Sequence, residues 1–145
     1  MITSQKGLDF IADVEGNKLH SYLDTGGVWT IGVGHTSDKW FQVKEGQQIT
    51  YDKSIQLLKI DVEEAEDAII ELVKVPLTQN QFDALVSFVF NIGAGAFANS
   101  TMLRKLNEKD YEGAAAQFPR WNKDNGKVIN GLTKRRLLEQ FVFNS

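Results

Sequence analysis

Residues 16–36 carry a strand-turn-strand signature, while most of the remaining chain repeats apolar residues at helical spacing. Leu19–Leu23 and Val28–Val33 are short runs of β-type residues. Between them Asp24-Thr25-Gly26-Gly27 is a strong turn signal. From residue 51 the spacing changes: Ile55, Leu58, Val62, Ala65, Ile69 and Leu72 recur every three or four positions, the stripe of a half-buried helix. A hairpin followed by such a helix predicts an α+β fold, mostly helical. A small β-hairpin lobe and a larger helical lobe are then joined by a long helix.

The other elements follow from caps and breakers. Residues 4–15 read as a helix with Ser4 as N-cap, Leu8, Ile11, Ala12 and Glu15 on one face, and Gly16 ending it. The small lobe runs over about 16–50 and the connecting helix over about 51–74, where Pro76 blocks continuation. The helical lobe takes about 75–145 together with the N-terminal helix, so the 145 residues form a single domain. Thr78-x-x-Gln81 is a capping box opening a helix rich in Phe82, Leu85, Val86, Phe88, Val89 and Phe90, broken at Gly93 and Gly95. Ser100 and Asp110 cap two shorter helices, the second ending at Phe118-Pro119. Residues 122–131 read as a polar loop and Leu132–Phe143 as a final amphipathic helix.

Composition narrows the classes. A chain this long buries about two-thirds of its unfolded surface and needs no covalent staple. It has no cysteine, which excludes disulfides, thiol catalysis and Cys-ligated zinc. The N-terminal segment is polar, unlike a secretory leader, and no run is apolar enough to span a membrane. The chain is therefore expected to fold in the cytoplasm of the cell that makes it. Net charge is −3, but unevenly spread: residues 1–100 carry 7 Lys+Arg against 14 Asp+Glu, and residues 101–145 carry 9 against 5. The acidic share concentrates in Asp61–Glu71, read as a solvated helix face, and the overall balance argues against a nucleic-acid partner.

Chemistry is legible in Glu15, Asp24 and Thr30. Glu15 sits in the last turn of its helix at the edge of an apolar stripe, where the carbonyl end and partial burial both disfavour a negative charge. Folding the hairpin over that helix end brings Asp24 and Thr30 to face it. An acid opposite a carboxylate and a hydroxyl that hold a water is the arrangement of direct-displacement glycoside hydrolysis. Taken singly, each has a plainer reading: a solvated helix end, a turn aspartate, a β-forming threonine.

The spacing of Glu15, Asp24 and Thr30 resembles the catalytic triad of the phage-type lysozymes, or endolysins, and Ile31-Gly32-Val33-Gly34-His35-Thr36 is similar to the segment that follows it there. The likeness continues through Val75–Leu85, Phe90-Asn91-Ile92-Gly93, Phe97–Leu103, Arg120-Trp121 and Gly131–Glu139, in the family's order over nearly the whole chain. It implies a lysozyme-like fold and a muramidase that cleaves the β-1,4 bond between N-acetylmuramic acid and N-acetylglucosamine in bacterial peptidoglycan. It implies inversion at the anomeric carbon, with Glu15 as acid and with Asp24 and Thr30 positioning water or Asp24 supporting the transition state. It also implies no cofactor, a monomer, host cytoplasm as the site of storage, and a holin for release to the wall. A lytic transglycosylase, a non-catalytic wall-binding module and a structural helical protein are the alternatives.

Candidate saccharide contacts are Tyr22, His35, Phe90, Asn91, Ser100 and Arg120. For His35 a hydrogen-bonded structural role is the favoured reading. Phe90 suits a sugar face or a core equally, and Asn91 reads as a sugar partner or a helix C-cap. Trp29 touches saccharide or packs the small lobe. His20 and His35, without a third ligand nearby in sequence, make a poor zinc site, so no metal is expected. Arg135 and Arg136 read as surface partners of acids such as Glu139.

Overall fold

Ser4 caps the first helix, α1 (Gln5–Glu15), in the computed structural model, which describes residues 1–145. Its Oγ accepts the Gly7 N–H at 3.0 Å and donates to the Asp83 carboxylate, which also accepts the Ser4 N–H at 3.0 Å. The chain divides into two compact units, Leu8–Glu63 and Met1–Gly7 with Glu64–Ser145. Most of α1 thus groups with the β-containing unit rather than with the helical one.

In the first unit, β1 (Lys18–Leu23), β2 (Trp29–Gly32) and β3 (His35–Thr36) form an antiparallel sheet in that order. The hairpin falls where the turn signal put it, and β3 is an addition that a two-residue run could not announce. Residues 47–49 extend along the free side of β1, through Ser21 N–H to Gln47 O at 2.9 Å and Ile49 N–H to Leu19 O at 2.8 Å. Ile31, Val43 and Leu57 form the core here, with Trp29, Phe41 and Ile49 packed against it. Trp29 therefore spends its indole on the small core. Thr50 caps α2 (Tyr51–Asp61) by accepting the Lys53 N–H at 3.1 Å.

The expected continuous helix over 51–74 is two helices. α2 stops at Asp61, and α3 (Glu63–Leu72) begins one residue after the break at Val62. Neither proline nor glycine lies at the break. Ile60, Asp61 and Val62 are three weak helix formers in succession, and the apolar stripe passes through the interruption without recording it.

In the second unit α4 (Gln79–Ile92) is the buried element: every residue from Phe82 to Val89 is inaccessible. Its capping box is complete, Thr78 Oγ1 accepting the Gln81 N–H at 3.1 Å and Gln81 Oε1 accepting the Thr78 N–H at 2.9 Å. Short helices α5 (Ala94–Ala98), α6 (Thr101–Asn107) and α7 (Tyr111–Ala115) and a 3-10 turn (Phe118–Arg120) lead to α8 (Asn130–Phe143). Phe88 meets Phe118 and Trp121 edge-on at 5.2 and 5.6 Å, and Phe118 meets Phe143 at 5.6 Å. The supposed loop over 122–131 contains a hairpin, β4 (Lys123–Asp124) and β5 (Lys127–Val128). Asn125 and Gly126 turn it with φ of 50° and 78°, the conformation that an Asn-Gly pair adopts most cheaply. No helix is long and apolar enough to cross a membrane.

The start of α1 yields a counter-intuitive prediction. Replacing a helical glycine by alanine usually stabilises by about 0.5–1 kcal/mol. At Gly7 the added Cβ would lie 2.5 Å from Asp83 Cγ. That carboxylate is 2% exposed and fixed by Ser4 and by Gln79 Nε2 at 2.8 Å, so it has little room to withdraw. Gly7→Ala should destabilise by about 1–3 kcal/mol in urea unfolding, an overpacking cost that outweighs the helical gain.

Candidate active site

Three sequence-selected residues lie within the Leu8–Glu63 unit, each held by a different local device. Glu15 is the last residue of α1, whose end is sealed by the Gly16 N–H donating to Ala12 O at 3.0 Å. Leu8, Ile11 and Ala12 on its face are buried, but Glu15 itself is exposed. The expected partial burial does not occur, because the helix ends before another apolar turn can cover it.

Asp24 builds the turn in which it stands. Its N–H donates to Val28 O at 3.0 Å, and its carbonyl accepts the Gly27 N–H at 3.0 Å. Its side-chain Oδ1 accepts two more backbone donors, Gly26 N–H and Val28 N–H, each at 2.8 Å. Gly27 supplies the positive φ of 77° that closes the loop. One carboxylate oxygen is thus committed to the loop, while Oδ2 accepts no hydrogen bond from the protein.

Thr30 is fixed by strand register. It pairs with Tyr22 across the β1–β2 ladder, and Asp24 opens the turn directly after the end of β1. Thr30 is 4% exposed, and its Oγ1–H donates to Val28 O at 2.9 Å. With its proton committed, this hydroxyl has only lone pairs to offer. Tyr22 is half-buried, with the Lys18 ammonium 4.5 Å above its ring.

The remaining candidates have varied surroundings. His35 is 3% exposed, with Nδ1 2.7 Å from Asp61 Oδ2 and Nε2 3.4 Å from Asp38 Oδ2. Both ring nitrogens thus face carboxylates. Burial pushes the Asp61 carboxyl up against the opposing pull of His35. At Asp38 burial is outweighed by the N–H groups of Phe41 and Trp40 and by His35, and its carboxyl is held down. In the second unit Phe90 is half-buried and Arg120 exposed. Ser100 is buried, its hydroxyl donating to Phe97 O at 2.7 Å and accepting Leu103 N–H at 3.1 Å as the cap of α6. That leaves it poorly placed for a saccharide.

Asn91 is exposed, and its Oδ1 accepts from Arg136. Arg136 is 1% exposed and Glu139 fully buried, so the expected surface ion pairs are an interior cluster. Glu139 Oε1 accepts from Arg136 NH1 at 2.5 Å, and Oε2 accepts from Arg135 Nε at 3.1 Å and Ser87 Oγ at 2.6 Å. Arg136 also donates to Trp121 O at 2.8 Å and stacks 5.0 Å from the Phe88 ring. The i, i+3 and i, i+4 spacing of both arginines to Glu139 was a visible signal of pairing, but nothing local distinguished a buried from an exposed face.

The family model described as phage lysozyme matches residues 12–139. The chain belongs to the phage lysozyme family. It is 48% identical over 146 residues to the endolysin of Salmonella phage P22, covering 100% of this chain and 99% of that one. A crystal structure of a P22 lysozyme mutant superposes with a TM-score of 0.94 at 46% identity, over 100% and 99% of the two chains. The muramidase domain of SpmX from Asticaccaulis excentricus gives 0.86 at 39% identity, over 99% and 97%. As a member of the phage lysozymes, the chain is a glycoside hydrolase with a lysozyme-like α+β fold.

Proposed function

We propose that this lysozyme is a muramidase of peptidoglycan, cleaving the N-acetylmuramic acid to N-acetylglucosamine β-1,4 bond by single displacement. Glu15, exposed at a helix end, gives its proton to the departing glycosidic oxygen. The attacking water donates one hydrogen to Asp24 Oδ2 and the other to Thr30 Oγ1. Both of its hydrogens are then occupied, and a lone pair points to the anomeric carbon. The observation that carries this reading is the split use of the hairpin's polar groups. Asp24 Oδ1 and the Thr30 hydroxyl proton are spent on backbone, which leaves acceptors alone on the reacting side.

Hydrolysis follows from that acceptor pair better than transglycosylation does, since an anhydro-sugar product needs no held water. Single displacement also requires the two carboxyl groups to stand about 6.5–9.5 Å apart in the complex with substrate. Among the other candidates, Tyr22 next to Thr30 is the best-supported sugar contact, with Phe90, Asn91 and Arg120 secondary. The enzyme works on the cell wall as a monomer, with a holin giving it access.

Proton NMR of the first-formed reducing end tests the mechanism: the anomer should be inverted before mutarotation sets in. A retained anomer would point to a covalent route, and an anhydro product to a transglycosylase. Asp24→Asn should lower the rate by about 10²-fold, within the range a positioned base contributes. The amide oxygen can keep both turn N–H bonds, so the loop survives. Its NH2 then faces the water as a donor and turns the water's lone pair away. A folded Asp24→Asn variant with near-parental rate would remove Asp24 from the mechanism.

A further inference from the structure

Lys18 opens β1 and is the only lysine or arginine from residue 7 to residue 38. The same stretch holds five carboxylates, those of Asp9, Asp13, Glu15, Asp24 and Asp38, and Lys18 forms an ion pair with none of them. Its exposed ammonium lies instead 4.5 Å above the Tyr22 ring. Tyr22 stands directly opposite Thr30 in the β1–β2 ladder, and residues paired in this way project from the same side of a sheet. The cation is therefore carried on the face that bears Thr30. Neither the ammonium nor the Tyr22 hydroxyl hydrogen-bonds to a protein group.

An aromatic ring steadies a lysine without neutralising it, so the three N–H donors stay available and the charge stays unspent. The chain carries −3 overall, and attraction to an acidic polymer must come from local cations such as this one. The substrate supplies a counter-ion. N-acetylmuramic acid differs from N-acetylglucosamine by a lactic acid joined as an ether to O3. In the muramidase reading, on which this step rests, the muramyl residue reacts at C1 beside Thr30. C1 and C3 belong to one pyranose ring, so an acid on O3 extends about one sugar's width from Thr30, toward neighbours such as Tyr22 and the cation above it. We infer that Lys18 is a specificity-determining residue that binds a carboxylate on the O3 substituent of the reacting muramyl residue. That carboxylate belongs to the lactyl group in a stem-free strand, or to the attached peptide in a stem-bearing one. Either offers the same charge and the same acceptor oxygens.

Steady-state kinetics on soluble peptidoglycan fragments compare the parent with Lys18→Met, which keeps an apolar stem on Tyr22 and removes the charge. KM should rise about fivefold, the upper range for one exposed ion pair. The kcat should hold, as it does when binding is lost equally from ground and transition states. Lys18→Arg should keep the parental KM. On fragments whose carboxylates have been converted to methylamides, parent and Lys18→Met should share one KM. Stem-free strands separate the two sources: the difference in KM persists there when the lactyl carboxylate is bound and vanishes when the stem supplies it. Parental KM in folded Lys18→Met, or an equal rise on the methylamide substrate, would overturn this inference alone. Products lacking a reducing muramic acid end would overturn the muramidase reading beneath it.

Discussion

Glu15→Gln should yield a folded protein that no longer lyses cells. Glutamine matches the shape of glutamate but has no proton to give an alkoxide leaving group. Positioned acid catalysis contributes about 10²–10⁴-fold, and at a glycosidic oxygen, which departs poorly unprotonated, the upper part of that range applies. Turbidity clearance of chloroform-treated Gram-negative cells should therefore fall by about 10³-fold or more. Glutamine is nearly isosteric with glutamate at the end of α1, so the variant should keep the parental fold by circular dichroism. This separation between lost rate and kept fold distinguishes an acid from a packing residue. Clearance within tenfold of the parent by a folded variant would end the assignment.

Local signals were read well where the physics is local. Ser4, Thr78, Ser100 and Asp110 all accept the backbone N–H that a cap should. The Asp24-Thr25-Gly26-Gly27 turn forms because Asp24 hydrogen-bonds its own loop and Gly27 tolerates a positive φ, both properties of those residues alone. The turn that holds Asp24 and the β1–β2 pairing that holds Thr30 were thus legible without a fold. The break at Val62 was hidden because apolar periodicity survives a one-residue interruption. The Asn125-Gly126 hairpin was missed for a different reason. Its turn signal is strong, but strands of two exposed residues leave no alternating pattern to flank it. Least legible were the groupings made by tertiary approach. Asp61 lies 26 residues from His35, and Ser87 lies 52 from Glu139, and neither partner is marked by spacing.

Glu139→Gln should be among the most destabilising single changes in the chain, despite being nearly isosteric. Its carboxylate accepts from Arg135, Arg136 and Ser87 with no access to solvent. A buried ion cluster need not be more stable than an apolar replacement of the same volume, since desolvating the charges costs about what their attraction returns. Removing one member is another matter. The amide deletes the anion and turns an NH2 group toward a guanidinium, so both buried arginines lose the carboxylate they share. The expected loss is about 3–5 kcal/mol, or a fall in Tm on the order of 10 °C for a chain of this size. Arg136 also holds Trp121 O and the Asn91 side chain, so the cluster spans the end of α4, the 3-10 turn and α8. Hydrogen exchange should therefore rise in those three segments together, whereas the amides of β1 and β2 should stay protected. A Tm change below about 3 °C, near 1 kcal/mol, would mean that the two arginines find other acceptors and that Glu139 is dispensable to the cluster.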